Sequence, residues 1–222
     1  MSRRLRLVLL IAGGLAVLVA LVLLGLYLAA QHEPAFYRQA MEIDDAVLEK
    51  ASDRMLQQAT ALASAVKKEG RWEVLFTAQE INGWLAVDMV RNHPNTLPST
   101  LRDPRVTIDP TQITIACRFE QGGVSSVLSL TVEPYMPEPN VIALRIVKAR
   151  AGLLPAPLGR VLGGLSEAAH GLQFHLEWRR AGGDPVAMLS FPPDDDRPVR
   201  IETLRLGDGE IYVAGSTLAA KP

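Results

Sequence analysis

The sequence is poor in cysteine, aromatic residues and net charge. It has one cysteine among 222 residues, few aromatic residues and almost no net charge. Because Cys117 has no second cysteine to pair with, no internal disulfide can form, and the fold must be stabilised by packing. The 23 basic and 24 acidic residues nearly balance, and the chain is mildly acidic once Arg3, Arg4 and Arg6 are set aside. This charge argues against nucleic acid as a partner.

The motifs that carry common chemistries are also missing from the sequence. It has no P-loop, no G-x-G-x-x-G after a strand, no G-x-S-x-G elbow and no H-E-x-x-H. The acidic run Asp194–Asp196 lacks the spacing and the closing glutamate of a calcium loop. No histidine has a second ligand at zinc spacing; the four are His32, His93, His170 and His175. We therefore expect no catalytic residue, no metal and no cofactor, and we predict that the protein is not an enzyme.

What the sequence does contain is a long uncharged run, Leu7–Ala30. At about 1.5 Å per residue, a helix of this length spans roughly 36 Å, which exceeds the hydrocarbon core of about 30 Å. Arginines precede the run, and basic flanks stay on the cytoplasmic side. The sequence therefore predicts a single-pass membrane protein whose N-terminus is cytoplasmic and whose bulk is extracytoplasmic (periplasmic if the cell has an outer membrane).

A cleavable signal peptide is the competing interpretation of this run. Such peptides have an apolar region of about 7–15 residues and end at a small-residue cleavage site. The run here is longer, and its nearest candidate site, Tyr27–Ala30, places bulky side chains where small ones are needed. We favour an uncleaved anchor.

The segment that follows the anchor has a helical pattern from Ala35 to about Lys68. Its apolar residues repeat every seven positions: Met41, Leu48, Met55 and Leu62. We favour a helix that lies along its own domain, and the alternative is a stalk or a self-association helix. The expected organisation is a basic flank (1–6), an anchor (7–30), a helical lead-in (31–70), an extracytoplasmic domain (71–217) and a tail (218–222).

The remaining pattern indicates an α+β domain. Thr77 and Glu80 have the spacing of a capping box at the start of a short helix. From Arg105 onward, apolar and polar residues alternate with period two, which is typical of antiparallel strands. We predict a curved antiparallel sheet of about eight strands, four before and four after a helix at 157–171, packed on helices. Cys117 is expected on the covered face of this sheet as a small core residue.

Two groups of residues are candidates for a binding site. The strand 141–147 is apolar on both faces, and an apolar helical segment follows it. The ligand-binding candidates are Ile142, Leu144, Leu153, Leu154, Leu158, Val161, Leu162 and Leu165. Four cations flank this segment and are candidates for contacting acidic lipid headgroups: Arg145, Lys148, Arg150 and Arg160. The alternatives are that the apolar residues form an ordinary core and that the cations are exposed strand-end charges.

Two stretches resemble a known family. The segment 76–85 (FTAQEINGWL) is similar to the S/T-x-x-Q/E helix opening of YpmS-like membrane-anchored extracytoplasmic proteins. The segment 152–158 (GLLPAPL), between a strand and an apolar run, is similar to that family's G-x-L-x-x-P element, and the N-terminal anchor fits as well. The resemblance implies an architecture and a location. It also implies a fold analogous to tubular lipid-binding proteins.

Three functions are compatible with these patterns. The one we favour is a membrane-anchored domain that binds a lipid or another apolar ligand without catalysis. The second is a structural or assembly protein whose outer domain binds an envelope protein. An enzyme is the least favoured, because the search for a catalytic constellation fails.

Overall fold

The computed structural model of the chain describes residues 3–94, 96–156, 175–191 and 198–219. The helices are α1 (Arg3–Ala30), α2 (Ala35–Met41), α3 (Asp45–Val66), α4 (Ala78–Ala86) and α5 (Asp88–Asn92). The strands before the apolar segment are β1 (Gly70–Thr77), β2 (Leu101–Ile108), β3 (Ile113–Gln121), β4 (Val124–Glu138), β5 (Val141–Ala151) and β6 (Leu154–Pro155). The strands after it are β7 (His175–Ala181), β8 (Asp184–Ser190), β9 (Val199–Leu206) and β10 (Glu210–Thr217).

The α+β class is confirmed, but the strands form two antiparallel sheets where the sequence predicted one. The large sheet has the order β2-β3-β4-β5-β8-β7, with β6 added beside β5, and the small sheet has the order β1-β10-β9. The sequence pattern missed β1, whose first residue Gly70 lies opposite Thr217 of β10. The hairpin of β9 and β10 therefore forms a three-stranded sheet with β1, separate from the large sheet.

The helical lead-in is broken in two rather than continuous. The second helix, α3, begins after Asp44. The side chain of Asp44 caps α3 by accepting a hydrogen bond from the peptide nitrogen of Ala46 at 2.8 Å. The helix α3 then lies against α4, where a Cβ on Gly83 would come within 2.6 Å of the Leu48 carbonyl oxygen. Glycine at this crossing lets the two helices approach closely, so α3 packs along its own domain.

The predicted capping box is confirmed and has a further role. The Thr77 hydroxyl accepts from the peptide nitrogen of Glu80 at 3.1 Å, and the Glu80 carboxylate accepts from the peptide nitrogen of Thr77 at 2.9 Å. The second oxygen of this buried carboxylate accepts from the Gln58 side chain on α3, also at 3.1 Å. The box therefore satisfies a buried charge and joins α4 to α3.

Two asparagine side chains bind strand edges in place of a neighbouring strand. Asn82 on α4 donates to the carbonyl oxygen of Val106 at 2.8 Å and accepts from its peptide nitrogen at 2.7 Å. Asn140, in the β4–β5 turn with φ of 63°, accepts from the peptide nitrogen of Ile201 at 2.6 Å and donates to the carbonyl oxygen of Val199 at 2.9 Å. Asn82 thus covers part of the edge of β2, and Asn140 joins the two sheets.

The large sheet has two distinguishable ends. The C-terminal end of α1 lies at one end, beside the turn that follows Ala151, and we call this the proximal end. The β4–β5 turn lies at the other, the distal end, where the small sheet attaches through Asn140 and where the peptide nitrogen of Gly209 donates to the Ile108 carbonyl oxygen. Since β5 has 11 residues at about 3.3 Å each, the two ends are roughly 33 Å apart.

From Gly14 onward, the described part of the chain contains no single helix that is long and apolar enough to cross a bilayer. Gly14–Ala30 and Ala35–Met41 together meet the length and composition required, with a bend of 49° between them. The apolar side chains of α1 in this range are largely exposed, including Leu21 at 60% and Leu23 at 61%.

Candidate functional site

The end of α1 is bonded directly to the large sheet. The carbonyl oxygen of Ala29 accepts from the peptide nitrogen of Leu153 at 2.8 Å, and that of Ala30 accepts from the Ser126 hydroxyl at 2.5 Å. The last carbonyl groups of a helix have no partner inside it, so β4 and the turn after β5 supply the missing donors. Gly152 has φ of 59°, and a Cβ there would collide with both carbonyl oxygens. We call this arrangement the junction.

The connector after α1 is also held by the sheet. Glu33 forms an ion pair with Arg118 of β3 at 3.4 Å. Tyr37 on α2 is fully buried against Ala116 and Val127, and its hydroxyl donates to the carbonyl oxygen of Asp103 at 2.9 Å. Within a few residues of Ala30 the chain is therefore packed against the large sheet, and no flexible linker separates α1 from it.

The large sheet has one face made almost entirely of apolar side chains. The strand register places alternate residues of β2 to β5 on the same side. This apolar face consists of Val106, Ile108, Ile113, Ile115, Cys117, Phe119, Leu128, Leu130, Val132, Ile142, Leu144, Ile146, Ala149 and Ala151. The opposite face carries mostly polar and charged residues, such as Thr114, Thr131, Lys148 and Arg150.

The exposure of the apolar face varies along the strands. It is most buried near the attachment of the small sheet, where Ile108 is 2% exposed and Ile146 is 3% exposed, while Ile142 and Leu144 beyond them are half-buried. Toward the proximal end Ile115 is 46% exposed, and Cys117 and Leu128 are partly exposed. The described residues therefore leave a partly exposed apolar patch next to the junction, which we call the proximal patch (Ile115, Cys117, Phe119, Leu128, Leu130, Ala149 and Ala151).

Cys117 lies in the proximal patch. The alternation that placed it on the apolar face is confirmed, but its side chain is partly exposed rather than part of a closed core. The most buried residues of this strand pair, Ala116 and Val127, lie on the other face beneath Tyr37. Burial raises the pKa of the Cys117 thiol to about 11, so this residue is a neutral thiol at physiological pH.

The structure separates the predicted ligand-binding residues. Ile142 and Leu144 are on the apolar face in the distal half of β5. Leu153, which is 51% exposed, and Leu154 are at the proximal end, in the turn after β5 and in β6. The remaining candidates fall outside the described residues: Leu158, Val161, Leu162 and Leu165.

The predicted headgroup-facing cations differ in their surroundings. Arg145 forms an ion pair with Glu133 at 3.2 Å and lies in the distal half of β5. Lys148 and Arg150 are exposed on the polar face, toward the proximal end, and have no acidic partner within ion-pair distance in the described part of the chain. Arg160 falls outside the described residues.

A shallow cleft of about 620 Å³ lies where the two sheets meet. Tyr135 and the Glu133–Arg145 pair form one wall, and Leu204 and Leu206 of β9 contribute to the other. The cleft lies in the distal half of the molecule, far from the junction. Its mixed lining has no group of three His, Cys, Asp or Glu side chains able to hold a metal ion, and none occurs elsewhere in the described ranges.

Sequence reasoning missed the residues that build the junction. Ser126 belongs to an ordinary strand pattern, and only the three-dimensional approach of α1 shows its role. Gly152 belongs to the segment 152–158 that resembles a family motif, but the sequence does not show that this glycine lies against the carbonyl groups of Ala29 and Ala30.

The sequence was compared with protein-family models and with curated proteins, and neither comparison finds a match.

Proposed function

We propose that the protein is a single-pass membrane protein whose outer domain binds a lipid or another apolar ligand without catalysing a reaction. In this proposal α1 anchors the chain with its N-terminus in the cytoplasm, and the two sheets lie outside it. The observation that supports the proposal is the position of the proximal patch, a partly exposed apolar surface at the end of the sheet bonded to α1.

The proximal patch has the properties that an acyl chain requires. Its side chains are aliphatic, aromatic or thiol groups, and the register aligns them in rows from Leu128 and Ala151 at the junction toward Val132. Covering such a surface is favourable by about 25 cal/mol per Å², so a chain lying along it gains free energy. A lipid leaving the bilayer beside α1 would meet this patch first.

A photo-crosslinking experiment on the full chain in its host membrane tests the proposal. The change is Ile115→p-benzoylphenylalanine, at the most exposed position of the proximal patch, with Asp109→p-benzoylphenylalanine as the control in the exposed β2–β3 turn. After irradiation, mass spectrometry of the purified protein identifies what is attached at each position.

We expect lipid attached at position 115 and not at position 109. A crosslink from position 115 to the chain's own residues 157–174 would contradict the proposal, because the patch would then be part of the protein core. A crosslink to a second protein would instead favour the alternative function, assembly with an envelope protein through the outer domain.

A further inference from the structure

The junction fixes the height of one turn relative to α1. Leu153 donates its peptide N–H to Ala29, and Gly152 lies against Ala29 and Ala30. The turn that contains these residues is therefore level with the last turn of the helix. If α1 crosses the bilayer, as the proposed function holds, this turn must lie where the hydrocarbon core meets the headgroups.

A tyrosine marks the same level on α1. Tyr27 is 50% exposed, and its hydroxyl accepts a hydrogen bond from the Gln31 side chain at 2.7 Å. Tyrosine favours the membrane–water interface, where the ring is apolar and the hydroxyl is hydrated. Tyr27 precedes Ala29 by two residues, which is about 3 Å along the helix.

The side chains beside this level match an interface. Leu153 is half-exposed and apolar, which is unfavourable in water and favourable at the edge of a hydrocarbon core. Arg150 pairs with Pro155 across the tight turn whose tip is Leu153, two residue levels away, so at about 3.3 Å per residue Arg150 lies roughly 7 Å further out. Headgroup layers are about 5–8 Å thick, and the electrostatic screening length at physiological salt is about 8 Å.

The same distances rank the candidate cations. Arg150 lies at the headgroup layer, and Lys148 lies roughly 7 Å beyond Arg150, within one screening length of the charged surface. Arg145 is roughly 23 Å from Leu153 and already paired with Glu133, so it is too distant and too well neutralised to contribute.

We infer that the outer domain docks on the anionic surface of the bilayer through the turn after β5. Leu153 enters the interface, and Arg150, supported by Lys148, binds lipid phosphate. The docking surface consists of Lys148, Arg150 and Leu153. This inference rests on the proposed anchoring of α1, but it does not require a ligand on the proximal patch.

The test places a fluorophore on single cysteines in the full chain, with Cys117→Ala as the background, in lipid nanodiscs that contain headgroup-nitroxide lipid as quencher. The probe position is Leu153→Cys. The control is Leu218→Cys, at a residue of similar exposure (55%) next to Pro198 at the distal end. Each is measured in phosphatidylcholine and in a 70:30 mixture of phosphatidylcholine and phosphatidylglycerol.

We expect strong quenching at position 153 and little at position 218. The anionic lipid should increase quenching at 153, and this increase should disappear in 0.5 M salt and in the double variant Lys148→Gln, Arg150→Gln. The matched variant Arg71→Gln, at an exposed cation of the small sheet, should retain it. Each lost charge should weaken the preference for anionic lipid about fivefold.

Two results would overturn the inference. Equal quenching at positions 153 and 218 would show that the turn is not at the membrane. Strong quenching at position 153 that is the same in both lipid compositions and in the double variant would show that no headgroup is bound there. Either result leaves the crosslinking test of position 115 unaffected, so failure of the docking surface and failure of ligand binding are distinguishable.

Discussion

The peptide nitrogen of Leu153 donates to the carbonyl oxygen of Ala29, and this bond of 2.8 Å joins the N-terminal helix to a turn more than a hundred residues later in the chain. The hydroxyl of Ser126 completes the cap on Ala30. A helix end that is capped by another part of the chain cannot swivel independently of it. The large sheet therefore has a fixed orientation relative to the end of α1.

The junction predicts an unusual sensitivity at Gly152. In Gly152→Ala the new methyl group would collide with two carbonyl oxygens, in a left-handed conformation that alanine adopts poorly. We expect the free energy of unfolding to fall by roughly 2–4 kcal/mol. Denaturant unfolding of the full chain in mild detergent, followed by tryptophan fluorescence, measures this change.

The control for this substitution is Gly122→Ala. Gly122 has nearly the same φ, 60°, but nothing lies within 4 Å of its Cβ position. Its loss should be limited to the conformational cost of about 1–2 kcal/mol. If the two variants were equally destabilised, the close approach of α1 at Gly152 would have no energetic consequence, and the description of the junction would be wrong.

The edge of β2 predicts a second sensitive position, Asn82. In Asn82→Ala the buried peptide nitrogen and carbonyl oxygen of Val106 lose their partner. Leaving a buried polar group unsatisfied costs about 1–3 kcal/mol, so we expect a loss of roughly 2–4 kcal/mol in the same unfolding measurement. Asn92→Ala, at an exposed position, should change stability by less than about 0.5 kcal/mol. A loss at Asn82 no larger than the loss at Asn92 would contradict the edge-covering role.

The thiol of Cys117 predicts a pH dependence. Because burial raises its pKa to about 11 from 9.0, the unfolded chain loses this proton first as the pH rises. Its contribution to stability is complete below pH 9 and falls by roughly 1.4 kcal/mol per pH unit between pH 9 and 11. The measurement is the wild-type unfolding free energy minus that of Cys117→Ala across this window.

Thiol alkylation checks the same group by a different route. The rate with iodoacetamide in the folded protein should rise with pH toward a midpoint near 11, whereas a free thiol has its midpoint near 9. A midpoint near 9 in the folded protein would contradict the burial of the Cys117 thiol.

The sequence predicts local structure well where the signal is local. The alternation at 113–119 and the capping box at Thr77 are both found in the structure, because each depends on neighbours within a few residues. The prediction of a continuous helix from Ala35 to Lys68 was wrong, because it did not recognise Asp44 as the cap of a second helix. The class α+β follows from these local elements alone.

What the sequence could not predict are the relationships between distant segments. Nothing local in β1 indicates that it pairs with β10, and that pairing divides the strands into two sheets. The hydrogen bonds of Asn82 and Asn140 likewise join residues far apart in the chain, and an asparagine in a helix or turn is usually explained without them. The exposure of the proximal patch could not be predicted either, because a period-two pattern identifies an apolar face but not which segments cover it.

The junction also constrains the order in which the protein is built. Ala30 leaves the ribosome early, yet its cap from Ser126 lies 96 residues later, and the cap on Ala29 comes later still. Because closing this loop requires the chain as far as Leu153, the helix end stays uncapped until that segment has been made. β1 must likewise wait for β10. A chain that stalls before these segments are made exposes both the helix end and an unpaired strand to quality-control proteases.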